Sequence, residues 1–119
     1  MPGRITRSER RNIVRNTITT VVQFRLPQPI SLEEATRRFE SSAPSYRNLP
    51  GLIRKYYLRA EDGRTAGGVY LWESRAAAEA AYSTEWREHV AKLFGGAPEI
   101  TWFDTPLIVD NAAPASKAA

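Results

Sequence analysis

The sequence has no cysteine, only one histidine and one methionine, and no apolar run approaching the length of a membrane span. Without cysteine, disulfide bonds, thiolate metal ligands and cysteine nucleophiles are excluded. A single histidine without thiolate partners does not make a metal site of the common kind, so we expect no metal. The N-terminal region also lacks the apolar core of a secretory signal. These absences predict a soluble cytoplasmic protein with no membrane segment.

The formal net charge is +4, and its meaning depends on where the charges lie. Five arginines and one glutamate fall within residues 1–16, so this segment carries the whole surplus. The remaining residues hold 12 basic and 12 acidic side chains, so the domain itself has no excess of positive charge that would indicate nucleic-acid binding. We therefore predict a basic, flexible N-terminal arm over residues 1–16. Nucleic-acid binding is expected only if this arm serves as a tether.

Alternating and helical apolar patterns divide the remaining sequence into six predicted elements. They are a strand over residues 17–26, a helix that begins near residue 32, strands over 52–60 and 67–73, a helix over 75–94 and a strand over 99–109. The first helix has an apolar stripe of Leu32, Ala35, Phe39, Ala43 and Tyr46, and Pro44 is expected to end or bend it early, because proline lacks an N–H. The small-residue tail over 112–119 can bury little and is expected to be disordered. One domain over residues 17–111 follows.

Short polar and glycine motifs mark the ends of these elements. Ser31 begins a capping box, and Ser74 precedes an alanine-rich run as a helix N-cap. The pair Asp62-Gly63 separates two aromatic-rich strands and predicts a hairpin, because glycine readily adopts the positive φ that tight turns need. Gly95-Gly96 predicts the end of the second helix. Pro106 predicts a bulge or an edge position in the last strand.

The element order β-α-β-β-α-β predicts a ferredoxin-like α+β fold, with two helices on one face of a four-stranded antiparallel sheet. Strand two then carries Leu52, Tyr56 and Leu58 on one side and Ile53 and Tyr57 on the other, and strands three and four also have apolar residues on both sides. Two helices cover only one face, and an exposed apolar sheet is a liability. A homodimer that packs sheet against sheet is therefore expected.

Several sequence blocks, in order, resemble one family: Pro50-Gly51-Leu52, Arg54-Lys55-Tyr56, residues 66–72, residues 74–78 and residues 106–111. Over about Thr17 to Asn111 the chain resembles the YdhR-like monooxygenases. These are part of the dimeric α/β-barrel superfamily, which also holds the antibiotic-biosynthesis monooxygenases. The resemblance implies a homodimer in which each subunit has a pocket between its sheet and its helices.

Some relatives in this superfamily oxygenate phenolic or quinol-type substrates without metal or flavin. The resemblance therefore implies a cofactor-independent monooxygenase that acts on a small aromatic or polyketide-like substrate. A non-catalytic, small-ligand-binding or stress-associated dimer with the same pocket is the alternative. No cofactor is expected from the residues either: Gly67-Gly68 lies within a strand, and no nucleotide-binding glycine motif is present.

Two residues are candidates for catalysis. Lys55 lies mid-strand between apolar neighbours, where burial lowers the pKa of an amine toward a useful range and the charged form can hold a phenolate. The alternative is a lysine that extends to solvent or pairs across the strand. His89, the only histidine, is a general-base candidate, or else an exposed residue at the edge of the helix stripe.

Five aromatic residues are candidates for substrate binding. Tyr57, Tyr70 and Trp72 lie on neighbouring strands, while Tyr82 and Trp86 project from the second helix together with His89. Rings with a hydroxyl or indole N–H are typical of pockets for small ligands. They are equally typical of an ordinary core, and the sequence alone leaves both interpretations open.

Overall fold

The computed structural model describes residues 16–112. They form β1 (Ile18–Arg25), α1 (Leu32–Ser42), β2 (Leu52–Arg59), β3 (Thr65–Trp72), α2 (Arg75–Ala81), α3 (Thr84–Phe94) and β4 (Glu99–Asp104), with a 3₁₀ turn (Ala43–Ser45) after α1. The arm predicted over 1–16 and the tail predicted over 112–119 fall outside the described residues, except for their innermost positions. No helix within residues 16–112 is long and apolar enough to cross a membrane.

The four strands form one antiparallel sheet in the order β2-β3-β1-β4. Strand β1 is central, so that Val22 lies opposite Gly68 on β3 and opposite Ile100 on β4. The helices cover one face of this sheet and bury it. The predicted ferredoxin-like α+β fold is confirmed. The core consists mainly of Val22, Phe24, Leu26, Ala66, Tyr70, Trp72, Ala78, Tyr82, Val90 and Phe94.

The predicted helix N-caps at Ser31 and Ser74 and the predicted hairpin turn are confirmed. The Ser31 hydroxyl accepts a hydrogen bond from the Glu34 amide (3.0 Å), and the Ser74 hydroxyl accepts one from the Ala77 amide (3.1 Å). In the β2–β3 hairpin, Gly63 has a φ of 74° and its amide donates to the Ala60 carbonyl (2.8 Å). A side chain at Gly63 is excluded, because its Cβ would lie 2.5 Å from a backbone oxygen.

The single helix predicted over residues 75–94 is wrong, because the chain forms two helices there. Tyr82 leaves the helical conformation (φ −87°, ψ 55°), and Ser83 caps α3 by accepting a hydrogen bond from the Trp86 amide (3.1 Å). The break turns the Tyr82 ring into the core, where its hydroxyl bonds the buried Thr20 side chain (2.6 Å). Two shorter helices therefore replace one continuous amphipathic helix.

Some strand bounds and one side-chain assignment also differ from prediction. Strand β3 begins at Thr65, and β4 ends at Asp104, before Pro106. The ladder between β2 and β3 shifts register between Leu52 and Arg54, which places Ile53 on the exposed face and Leu52 against the core. The predicted facing of Leu52 and Ile53 was wrong because one irregular residue reverses the alternation.

The face of the sheet away from the helices is apolar and open. Tyr56 is 55% exposed and Phe103 is 50% exposed, and both flank a centre formed by Val21, Val69 and Leu71. We call this surface the outer face. The segment after β4 adds further exposed apolar residues at 107–109.

The apolar stripe predicted for the first helix is only partly buried, because Leu32, its first residue, is 66% exposed.

Candidate functional site

A cavity of about 250 Å³ lies between the covered face of the sheet and helices α1 and α3. Seven of its lining residues are aromatic, and only Lys55, Glu85 and His89 are ionisable groups other than tyrosine. Typical pockets for drug-sized ligands enclose about 300–1,000 Å³. The cavity therefore suits a ligand of two or three fused rings at most.

Lys55 reaches into the cavity from β2, and three tyrosine rings surround its amino group. The Nζ atom lies 3.4 Å from the ring centroid of Tyr46, 3.8 Å from that of Tyr57 and 4.6 Å from that of Tyr70. Gly68 on β3 leaves space for this side chain, because a Cβ there would lie 3.1 Å from Lys55 Cε. Among residues 16–112, no carboxylate lies within ion-pair distance of Nζ.

The protonation of Lys55 reflects two opposing effects. Burial lowers the pKa of Lys55 from 10.5 to about 7, since the ammonium loses water without gaining a carboxylate. The three ring faces act in the opposite direction, because a cation is attracted to the aromatic quadrupole. Near neutral pH the amine and the ammonium are therefore both accessible, which suits a group that takes up and returns a proton.

Hydrogen bonds hold three of the cavity rings in place, those of Tyr46, Tyr57 and Trp86. The Ser42 hydroxyl donates to the Phe39 carbonyl (3.1 Å), which leaves the Tyr57 hydroxyl to donate to Ser42 Oγ (2.7 Å). The Trp86 indole N–H donates to the Tyr46 hydroxyl (2.8 Å). Burial raises the pKa of Tyr57, so this phenol keeps its proton. The rings thus act as fixed walls.

Two of the five residues predicted to bind substrate lie behind the cavity wall. Trp72 is fully buried, and its indole N–H donates to Thr20 Oγ1 (3.0 Å). The Tyr82 hydroxyl bonds the same Thr20 oxygen, and burial raises the pKa of Tyr82 to about 12. Tyr70 does line the cavity, and burial raises its pKa well above the usual value. Tyr57 and Trp86 also line it.

His89 lies at the rim of the cavity on α3, next to Glu85 one turn earlier. Both residues are exposed, whereas Lys55 is largely enclosed. The structure therefore brings Lys55 and His89 to one cavity but in different surroundings. Across residues 16–112, no cluster of three histidine, aspartate or glutamate side chains is arranged to hold a metal ion.

The family model described as “Putative mono-oxygenase ydhR” matches residues 20–102. This range includes β2 and β3 completely, most of β1, the first part of β4 and every residue that lines the cavity. The chain belongs to the ydhR family. The resemblance seen in the sequence is thereby confirmed. No curated protein sequence matches this ydhR-family chain at a significant level.

Solved structures share the fold of this ydhR-family chain. The ActVA-Orf6 monooxygenase of Streptomyces coelicolor, solved in complex with nanaomycin D, gives a TM-score of 0.63 at 21% identity, covering 84% of this chain and 96% of that one. SnoaB, a cofactor-independent oxygenase from Streptomyces nogalater, gives 0.60 at 19% identity, covering 81% and 99%. A “putative antibiotic biosynthesis monooxygenase” from Caulobacter crescentus gives 0.57 at 22%, covering 87% and 99%. At these identities the likeness establishes the fold.

Tyr46 was not among the predicted site residues, since its spacing placed it on the apolar stripe of the first helix. In the structure its ring lies closer to the Lys55 amino group than the rings of Tyr57 and Tyr70 do. The 3₁₀ turn after Ser42 ends that helix early and redirects the ring over Lys55. The predicted effect of Pro44 is confirmed, since α1 ends at Ser42, but the sequence did not show where the following turn would carry the Tyr46 ring.

Proposed function

We propose that this protein is a cofactor-independent monooxygenase that acts on a small phenolic or polyketide-like aromatic substrate. One observation carries the proposal: the Lys55 amino group, without a carboxylate partner in residues 16–112, faces an aromatic cavity and is enclosed by three tyrosine rings. The aromatic walls bind the substrate ring, and the amine accepts the phenol proton. Membership in the ydhR family supports this reaction class.

The energetics of proton transfer to Lys55 are close to balanced. A phenol has a pKa near 10 and the Lys55 ammonium about 7, so the unassisted transfer costs about 4 kcal/mol. Attraction between the resulting ammonium and phenolate at about 4 Å returns about 4 kcal/mol in partly screened surroundings. The cavity thus makes the electron-rich phenolate accessible at neutral pH, and the phenolate is the form that reacts with oxygen.

The oxygen balance requires no external reductant. For a phenol with a C–H opposite the hydroxyl, one oxygen atom becomes the new quinone carbonyl and the other leaves as water. The ring supplies all four electrons that reduce O₂, and both of its lost protons enter the water. In this scheme Lys55 holds the first of these protons, and His89 at the rim is placed to exchange protons with solvent.

The test is oxygen uptake with 1-naphthol and 9-anthrol, combined with ¹⁸O₂ labelling of the quinone. We expect enzyme-dependent uptake of one O₂ per quinone, with one labelled atom in the product. Uptake equal to that of heat-denatured protein, together with saturable binding of the same compounds, would instead support the alternative function of a non-catalytic ligand-binding dimer.

The pH dependence of turnover tests the role of Lys55. If its neutral amine is the base in the free enzyme, kcat/KM for 1-naphthol rises with pH through about 7 and levels off above about 8. The value rises with pH because below about pH 7 Lys55 is mainly the ammonium, which has no site for the phenol proton. Stopped-flow or steady-state rates between pH 5.5 and 9 check this, and a flat profile contradicts it.

The homodimer expected from the sequence remains part of this proposal. The outer face has an apolar centre, and its charged residues, such as Arg25, Glu99 and Arg54, lie toward its ends. Two copies of this face can therefore bury the apolar centre against each other while the charges stay at the edge of the contact. A second copy related by a twofold axis meets the same apolar centre. Leaving this surface in water would be unfavourable. We infer that the two copies pack outer face to outer face.

Replacing Val69 with glutamate tests the dimer. Val69 lies at the middle of the outer face, so each Val69→Glu subunit places an unpaired charge in the contact and the mutant is expected to be monomeric. Light scattering after size-exclusion chromatography measures the mass. Ala80→Glu, which adds the same charge at an exposed position of α2, is the control and is expected to stay dimeric. A wild-type monomer would refute the dimer.

A further inference from the structure

A second concave surface adjoins the cavity. This groove of about 270 Å³ lies between strand β2 and the segment that follows α1, and it is more polar than the cavity. Tyr46, Lys55 and Tyr57 line both spaces, so the Lys55 side chain lies where the two meet. A ligand that contacts Lys55 from the cavity is therefore within reach of the groove.

The groove is basic. Of its nine lining residues three have basic side chains, namely Arg47, Arg54 and Lys55, and none is acidic. Arg54 has a partner, since its guanidinium lies 3.4 Å from Asp110. Within residues 16–112 the exposed Arg47 side chain forms no ion pair and no hydrogen bond. The charge of Arg47 is thus not paired with any acidic residue within 16–112.

The backbone holds Arg47 at this position. Its amide donates to the Ala43 carbonyl (3.2 Å), and the Leu49 amide donates to the Tyr46 carbonyl (3.3 Å). Asn48 between them has a positive φ of 63°, a conformation that asparagine tolerates better than most residues. The Arg47 charge acts to lower the pKa of the Tyr57 hydroxyl against the larger, raising effect of burial, so its field reaches the cavity wall.

We propose that the groove binds a carboxylate on the aromatic substrate, with the ring in the cavity, the phenol oxygen at Lys55 and the acid group at Arg47. This inference rests on the proposed function for the phenolic ring. A guanidinium binds a carboxylate through two parallel hydrogen bonds, and the single unpaired guanidinium in the groove matches one such group. Because Lys55 lies at the junction, the acid group is adjacent to the phenol on the ring.

The experiment compares 1-hydroxy-2-naphthoic acid with its methyl ester, which keeps the ring and the phenol but removes the charge. Binding is measured by naphthol fluorescence under argon, so that no turnover occurs. We expect the wild-type protein to bind the acid about tenfold more tightly than the ester, the usual size of a charge-assisted hydrogen bond. The Arg47→Met variant is expected to reduce this preference below about twofold by weakening the acid alone.

Arg64→Met is the matched control, since it removes the same charge from the exposed β2–β3 hairpin, outside the residues that line the groove and the cavity. It is expected to retain the wild-type preference for the acid. Equal affinity of wild-type protein for acid and ester, or an equal loss in both arginine variants, overturns the carboxylate site.

Oxygen uptake with 1-naphthol, which has no acid group, separates this inference from the proposed function. Uptake without an acid preference refutes the groove site alone. An acid preference without uptake by any phenol refutes the oxygenase and leaves the groove site in place.

Discussion

Lys55→Met is expected to reduce turnover of a phenolic substrate at least about 100-fold, the smallest loss expected when a general base is removed. Methionine retains much of the length of lysine and fills the space among the three tyrosine rings, so the cavity keeps its shape. What is lost is the amino group that we propose accepts the phenol proton. The measurement is initial oxygen uptake at pH 8, where the wild-type amine is mainly neutral.

The same substitution is expected to stabilise the fold. The pKa of Lys55 is lower in the folded protein (about 7) than in the unfolded chain (10.5), so the folded state binds fewer protons between these values. The stability cost of burying the ammonium is therefore fully present below pH 7 and disappears as the pH rises toward 10.5. The melting temperature of Lys55→Met should exceed that of wild type most clearly near pH 6.

Lys92→Met is the control, because it removes an exposed lysine in the last turn of α3 that does not line the cavity. It should keep wild-type turnover and gain no stability at low pH. Turnover by Lys55→Met within about threefold of wild type would remove Lys55 from the mechanism, because general bases contribute far more than this.

Gly67→Ala is expected to be the most destabilising single-methyl change in the sheet. A Cβ at Gly67 would lie 1.8 Å from the carbonyl oxygen and 2.8 Å from the carbonyl carbon of Val22. Both atoms belong to the backbone of the central strand, which is hydrogen-bonded on both sides and has no room to yield. Overpacking of this kind costs about 3 kcal/mol, which lowers the melting temperature of a domain of this size by more than about 10 °C.

Thermal unfolding followed by circular dichroism, at matched protein concentration, measures the effect. Gly96→Ala is the control, since the nearest atom to its added Cβ is the Arg25 carbonyl oxygen at 3.8 Å, an ordinary contact. The control melting temperature should stay within about 4 °C of wild type. A wild-type melting temperature for Gly67→Ala would mean that β1 and β3 approach each other less closely than described.

Local signals were sufficient to predict most of the fold. Serine N-caps, the Asp62-Gly63 turn and the alternating strands each act over a few residues, and the structure confirms them at Ser31, Ser74 and Gly63. The break between α2 and α3 was missed because Tyr82 and Trp86 keep helical spacing across it. Ser83 was the overlooked signal, since a serine ahead of Thr84-Glu85 is also a typical N-cap.

The candidate site was only partly predictable, because its geometry depends on long-range packing. The sequence indicates Lys55 as a lysine among apolar residues, but not that Tyr46 would cover it, since this contact crosses from the 3₁₀ turn to the sheet. Likewise Trp72 has the residue type of a pocket wall, and only its hydrogen bond to the buried Thr20 shows that it lies behind the cavity.

The division of the second helical region into α2 and α3 separates a helix that is anchored to the sheet from one that lines the cavity. Helix α2 is anchored: Gly51 approaches Ala77 so closely that an added Cβ would lie 2.3 Å away, and the Arg75 guanidinium lies 4.2 Å from the Trp102 ring centroid. None of its residues lines the cavity, whereas α3 supplies six lining residues. Substitutions at the α3 lining residues outside the core, Glu85, Trp86, His89 and Leu93, are therefore expected to change the shape of the cavity while the contacts of α2 are kept.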